Sequence, residues 1–160
     1  MLLDSLQLRG ITSLFVDRQH LLPVMGVIAE LDPHLPIQML ETDVLSNIGT
    51  IISPFSHAPE GKRILSIQVT PETGKSYLVD INQGEFKRLV IPAGQTALLE
   101  IEPEKNTDNG LSERGLGGQI KVKSGVLDVV IDARGRPLRL PGETAKRILL
   151  MQDWLGTLGG

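Results

Sequence analysis

The spacing of apolar residues changes character near Lys62. Before that point apolar positions recur about every 3.6 residues or in short runs, and after it they alternate with polar ones. Leu2, Leu3 and Leu6, with Asp4, Ser5 and Gln7 between them, fit part of an amphipathic helix ended by Gly10. No N-cap precedes it and it is too short to stand alone, so it is expected to continue from a longer parent. Thr12 to Val16 reads as a short buried strand ending at Asp17. A second helix is expected over Leu21 to Leu31, with Leu22, Met25, Ile28 and Ala29 on one face and Pro23 in its first turn. Asp32-Pro33 stops it, because the residue before a proline avoids helical angles. Ile37 to Leu40 reads as a strand, Asp43 to Asn47 as one helical turn ending at Gly49, and Thr50 to Ile52 as a last strand. Residues 1–53 thus predict a partial α/β segment, too small to complete a sheet covered on both faces.

Residues 54–62, with Pro54, Pro59 and Gly61, have the composition of a linker. Period-2 alternation then predicts strands over Ile64 to Val69, Tyr77 to Ile81, Phe86 to Ile91 and Ala97 to Ile101. Turn residues at Pro71 to Gly74, Asn82 to Gly84 and Pro92 to Gly94 separate them. Glu104 to Gly115 is polar and is expected to be a mobile loop. Gln119 to Val122 and Leu127 to Ile131 read as a β-hairpin across Lys123-Ser124-Gly125. A closing helix over about Glu143 to Leu158 presents Ile148, Met151, Trp154, Leu155 and Leu158 at helical spacing. The fold class is therefore α+β: a partial α/β unit, then residues 63–160 as an antiparallel β-sandwich or small barrel with a C-terminal helix.

Composition narrows the chemistry. The chain's 160 residues can bury roughly 70% of the unfolded surface without staples. There is no cysteine, which removes disulfides and thiolate chemistry, and His20, His34 and His57 are too scattered for a zinc site. Three Phe, one Tyr and one Trp leave an aliphatic core and no row of aromatics to stack bases. The net charge of −3 disfavours nucleic acid as a partner. Residues 1–118 carry nine basic and fifteen acidic side chains, residues 119–160 seven and four, so the two parts complement one another. No run approaches a membrane span and Met1-Leu2-Leu3 lacks a signal peptide's basic region, so a cytoplasmic protein without membrane association is expected.

The candidate chemistry is sparse. Asp17 and His20 follow a strand, where α/β folds place functional groups, and a carboxylate with an imidazole can do acid–base work. The ordinary explanation is that Asp17 caps the next turn and His20 caps the helix. Asp132, Arg134, Arg136 and Arg139 are the foremost candidates for contact with a partner or an anion. Arginine forks suit carboxylates and phosphates, and Gly135 allows a turn through positive φ that projects Arg134 and Arg136 outward. The ordinary explanation here is an Asp132–arginine pair fixing the turn against the final helix. Trp154 reads as core. Glu100, Glu102 and Glu104 alternate along one strand face, which is ordinary for a solvated face, and no metal is predicted.

The order of these motifs resembles a known family. Leu2 to Gln7, Gly10-Ile11-Thr12, Asp17 and Leu21-Leu22-Pro23 look like the tail of the ATPase domain in the glutamate mutase accessory protein L family. Thr50 to Pro54, Pro92-Ala93-Gly94-Gln95 and Ile131-Asp132-Ala133-Arg134-Gly135-Arg136-Pro137-Leu138 look like the β-rich C-terminal region of its larger members, the last being the most specific. The resemblance implies an actin-like or sugar-kinase-like ATPase parent whose nucleotide-binding loops and catalytic acids lie before Met1. This sequence has neither Gly-x-x-x-x-Gly-Lys-Ser/Thr nor Gly-x-Gly-x-x-Gly. Gly115 to Gly118 leads into a strand and lacks the helix end that holds phosphate.

The resemblance therefore implies a non-catalytic region serving domain or subunit contact. Its partner would be an ATPase domain or an adenosylcobalamin-dependent mutase, with homo-oligomerisation open. ATP and adenosylcobalamin would belong to those partners, and no cofactor is expected in this chain. The rival expectation is a small hydrolase or transferase using Asp17 and His20, with Arg134-Gly135-Arg136 holding an anionic substrate.

Overall fold

The computed structural model describes residues 2–42, 44–111 and 115–159. Helix α1 (Leu2–Leu6) leads into strand β1 (Gly10–Val16), then helices α2 (Leu21–Leu31) and α3 (His34–Glu41) and strand β2 (Ser46–Ser53). Strands β3 (Arg63–Pro71), β4 (Tyr77–Asn82), β5 (Phe86–Leu89), β6 (Thr96–Pro103), β7 (Gly118–Lys123) and β8 (Asp128–Asp132) follow, and α4 (Thr144–Gly159) closes the chain. The class is α+β, as the periodicity predicts. The strands form two open four-stranded sheets, ordered β1-β2-β8-β5 and β4-β3-β6-β7, so the architecture is a sandwich and not a closed barrel.

Alternation explains the sandwich. Leu65, Ile67 and Val69 of β3, with Leu99 and Ile101 of β6, are buried. The half-buried Ser66 and Gln68 alternate with them in β3 and so lie on its other face. The buried side chains meet Ile52, Val129 and Ile131 of the other sheet in one shared core. The opposite face of that other sheet carries Ile51, Val130 and Phe86, against which Trp154 of α4 packs. The result is two sheets and one helix in layers, with residues 1–53 supplying two strands of one sheet.

Several expectations change on contact with tertiary structure. First, Gln119 to Val122 and Leu127 to Ile131 do not form a hairpin. β7 pairs antiparallel with β6, whereas β8 inserts between β2, to which it is parallel, and β5. The connection is tied to both sheets: Ser124 N–H donates to the Gln95 carbonyl at 2.9 Å and Leu127 N–H to the Ile48 carbonyl at 2.8 Å. Gly125 makes the crossing possible, because a Cβ there would stand 2.5 Å from the Ile48 carbonyl oxygen. This pairing also joins β1 and β2 to strands from beyond residue 63, so residues 54–62 cross from one sheet to the other.

Second, Ile37 to Leu40 is helical, lying inside α3. Leu, Met and Gln favour a helix, and Pro36 falls in its first turn, where a missing N–H costs nothing. The helical turn expected over Asp43 to Asn47 is also absent where it is described, because Ser46 and Asn47 belong to β2; Asp43 lies outside the described residues. Third, Glu104 to Gly115 is held down where it is described. Phe55 and Asp108 exchange two backbone hydrogen bonds of 2.8 and 2.9 Å, Gly115 N–H donates to the Thr107 carbonyl, and Thr107 and Asn109 are buried. Polar composition there satisfies turn backbone: Asp108 and Asn109 accept from the N–H groups of Gly110 and Leu111. The face of α4 differs as well. Trp154 is buried and Leu150 packs beside it, while Ile148, Met151 and Leu155 are exposed.

Candidate functional site: a buried arginine cluster beside a cleft

β8 is buried along its whole length and ends at Asp132, so whatever follows starts from the interior. Ala133 continues inward, and Gly135 adopts φ of 80°, a left-handed conformation that glycine takes without strain. The turn does not send its arginines outward. The side chains of Asp132 and Arg134 are each 1% exposed and that of Arg136 8%. The expected outward projection fails because Asp132 claims both guanidinium groups.

The Asp132 carboxylate accepts four hydrogen bonds. Oδ1 takes the Arg134 backbone N–H at 3.3 Å and its Nε at 2.8 Å; Oδ2 takes Arg134 Nη2 at 2.8 Å and Arg136 Nη2 at 2.6 Å. A carboxylate has about four lone-pair sites, so this one is saturated. Burial alone acts to raise the Asp132 pKa, but the hydrogen bond and charge of Arg134, and then those of Arg136, outweigh it and hold the carboxyl below its ordinary 3.8. Burial likewise acts to lower the Arg134 pKa, and Asp132 and Asp4 reverse that, so the guanidinium is held charged even more firmly than usual.

Two further groups complete the setting of Arg134. Asp4 of α1, 26% exposed, accepts from Arg134 Nη2 at 2.8 Å across 130 positions of sequence. The guanidinium also lies 4.4 Å from the ring centroid of Phe86 and 4.4 Å from that of Trp154. A cation between two aromatic faces is favoured by their quadrupoles, more so when desolvated. One arginine therefore ties the first helix, the central sheet and the last helix together. The reading of an aspartate–arginine pair fixing the turn against the final helix matches this geometry.

Beside the cluster lies a cleft of about 410 Å³, within the range of ligand pockets. His57, Glu60, Gln83, Arg134, Arg136 and Arg139 line it together with the rest of the 55–58 segment. Arg139 is exposed on its rim. Three polar atoms of this lining are buried and have no partner among the described residues: Arg134 Nη1, Arg136 Nε and Gln83 Oε1. Gln83 is oriented by donating its Nε2 to the Ala133 carbonyl at 3.1 Å. Sequence reasoning found the arginines but missed His57, Glu60 and Gln83, and also Asp4 and Phe86. No local signal marks them, since they reach the cluster and its cleft from several parts of the chain.

Asp17 and His20 are not in this cleft. Asp17 accepts the N–H groups of Leu21 at 2.9 Å and Leu22 at 2.8 Å, capping α2. Those two bonds, that of Leu22 first, hold its pKa below the ordinary value. His20 occupies the N-cap position with φ of 56° and makes no side-chain cap bond, so the capping expected of it falls to Asp17. Glu100 and Glu104 are engaged by Gln119 and Arg63, and the described residues contain no group of three His, Asp or Glu arranged to hold a metal. Gly117-Gly118 enters β7, leaving no helix N-terminus for a nucleotide phosphate.

No helix among the described residues is long and apolar enough to cross a membrane. Comparison with protein-family models, with curated proteins and with solved structures returned no match.

Proposed function

We propose that this chain is a non-catalytic C-terminal region of an ATPase similar to the glutamate mutase accessory proteins, and that it serves domain or subunit contact. The observation that carries the reading is the surface of α2 and α3. A helix apolar on all sides normally belongs in an interior. α2 reads Leu-Leu-Pro-Val-Met-Gly-Val-Ile-Ala-Glu-Leu, yet only Met25 in it is fully buried. Val27 is 64% and Leu31 85% exposed, and Leu35, Ile37 and Leu40 of α3 are exposed beside them. Contiguous apolar surface of this kind marks contact with another macromolecule.

The resemblance supplies the partner: an ATPase domain of the accessory type, or the adenosylcobalamin-dependent mutase such a protein serves. ATP and cobalamin belong to those partners in this reading, and the setting is cytoplasmic. The arginine cluster then acts as a brace that holds α1 and α4 on the sheet.

Size-exclusion chromatography and pull-down with an accessory-type ATPase domain, and separately with a mutase, test the proposal. Association is expected at micromolar concentration, and Val27→Asp with Leu31→Lys abolishes it while the thermal midpoint stays nearly unchanged, since both side chains are exposed. No association with either protein overturns the partner assignment. Association that survives the double substitution removes the α2–α3 face as its seat.

A further inference from the structure

The sandwich is left open along one flank. Strands β1 and β7 are edge strands of the two sheets. Side chains alternate along a strand, so Ile11, Ser13 and Phe15 of β1 share one face, and Ile11 packs into the core between the sheets. Their partners across β2 are Ile52, Thr50 and Asn47. The Ile11–Ile52 row thus belongs to the shared core. The next row carries two hydroxyls, and the third carries an aromatic ring on the same inward face that is nonetheless 54% exposed. Where the interior of the sandwich would continue, a cavity of about 450 Å³ remains, within the range of small-ligand sites.

The lining of this cavity has two characters. Phe15, Leu40, Leu45 and Val122 supply apolar walls. Ser13 and Lys121, both exposed, supply a hydroxyl and an ammonium group. The Ser13 hydroxyl stands 3.4 Å from that of Thr50, long for an O–H···O bond, so it keeps capacity for another partner. Ser13 and Phe15 are two positions apart on one strand face, which sets the polar and aromatic parts about 7 Å apart. Lys121 and Lys123 against Glu41 leave the described lining net positive.

From this arrangement we propose that the flank cavity binds a small amphipathic carboxylate, an apolar ring or short chain bearing one carboxylate. The apolar body lies against Phe15 and the neighbouring leucines. The carboxylate accepts from the Ser13 hydroxyl and pairs with Lys121. The cavity meets the α2–α3 face at Leu40, but neither Val27 nor Leu31 lines it, so this proposal and the contact proposal fail separately.

Isothermal titration calorimetry of the full chain with phenylpropionate, hexanoate and uncharged phenylpropanol tests the site. For ligands of this size, ordinary binding free energy per atom places saturation in the submillimolar to millimolar range. Saturable binding of at least one acid is expected, and the tighter of the two distinguishes a ring from a chain. Phenylpropanol is expected to bind about fivefold more weakly than phenylpropionate, the scale of one exposed ion pair. Lys121→Gln is expected to weaken the acids about fivefold and leave phenylpropanol unchanged, at the parent thermal midpoint because that side chain is exposed. Ser13→Leu puts an apolar side chain into the cavity and is expected to abolish binding of all three, with the thermal midpoint read alongside to show that the variant is folded. Absence of saturation with both acids overturns the proposal. So does phenylpropanol binding as tightly as phenylpropionate, or acid binding that neither substitution weakens.

Discussion

Asp132→Asn isolates the role of burial in the cluster. The substitution keeps the size of the side chain but leaves Arg134 and Arg136 without their shared carboxylate, and it turns an amide N–H₂ toward guanidinium donors. Removing one partner of a buried ion pair costs about 3–5 kcal/mol. Asp4 retains one bond to Arg134, but it is partly exposed and does not reach the backbone N–H or Nε that Asp132 serves. Against a total stability of about 5–15 kcal/mol the loss is large. For a chain of this size it lowers the thermal midpoint by about 6–20 °C.

The internal control is Arg63–Glu104, whose 2.8 Å separation equals that of Arg134 Nε and Asp132 while both of its side chains are about half exposed. Glu104→Gln is expected to cost only about 0–1 kcal/mol. Calorimetry or circular-dichroism melting of the two variants compares them directly. A cycle with Arg134→Met adds the pairwise coupling, expected near about 2 kcal/mol, because the double variant no longer buries the unmatched Arg134 charge. Should Asp132→Asn melt no lower than Glu104→Gln, the claim that this buried carboxylate braces the fold is wrong.

The same carboxylate sets a pH dependence. Its folded pKa lies below the ordinary 3.8, so its stabilisation is complete above that value and is lost as pH falls through the lower folded value. Urea midpoints measured from about pH 5 down to about pH 2 should fall, and fall less steeply in Asp132→Asn; parallel curves would contradict the assignment. Two glycines give opposite expectations. Gly125→Ala places a Cβ 2.5 Å from the backbone oxygen of Ile48 and should cost about 2 kcal/mol or more, whereas a Cβ at Gly26 in α2 meets nothing within 4 Å and should stabilise by about 0.5–1 kcal/mol. Denaturant midpoints of both variants check this, and a neutral Gly125→Ala would contradict the close crossing beside β2.

Local chemistry determined a good part of this protein. Alternation placed β3, β4 and β6 within a residue or two of their observed bounds, and Gly-bearing turns marked their ends, because a strand's buried face is written every second residue. Asp17 as a cap was equally legible, since the capping bond spans only a few positions. What alternation does not encode is which strand lies alongside. β8 looked like the partner of β7 because the two are neighbours in sequence, yet its wholly buried pattern suits a central position between β2 and β5.

The same limit governs the site. Asp132, Arg134, Arg136 and Arg139 stood out as a group, but their charge suggested an outward-facing turn. Only the tertiary structure brings Asp4, Phe86 and Trp154 around Arg134, and His57, Glu60 and Gln83 to the cleft beside it. These groups come from several distant parts of the chain, and whether an arginine is solvated or buried depends on such partners. Sequence determined most of which segments are helical or extended and which carry charge. Folding alone decided that the charge would be enclosed, because its desolvation is offset only once its carboxylates and aromatic faces have been assembled around it.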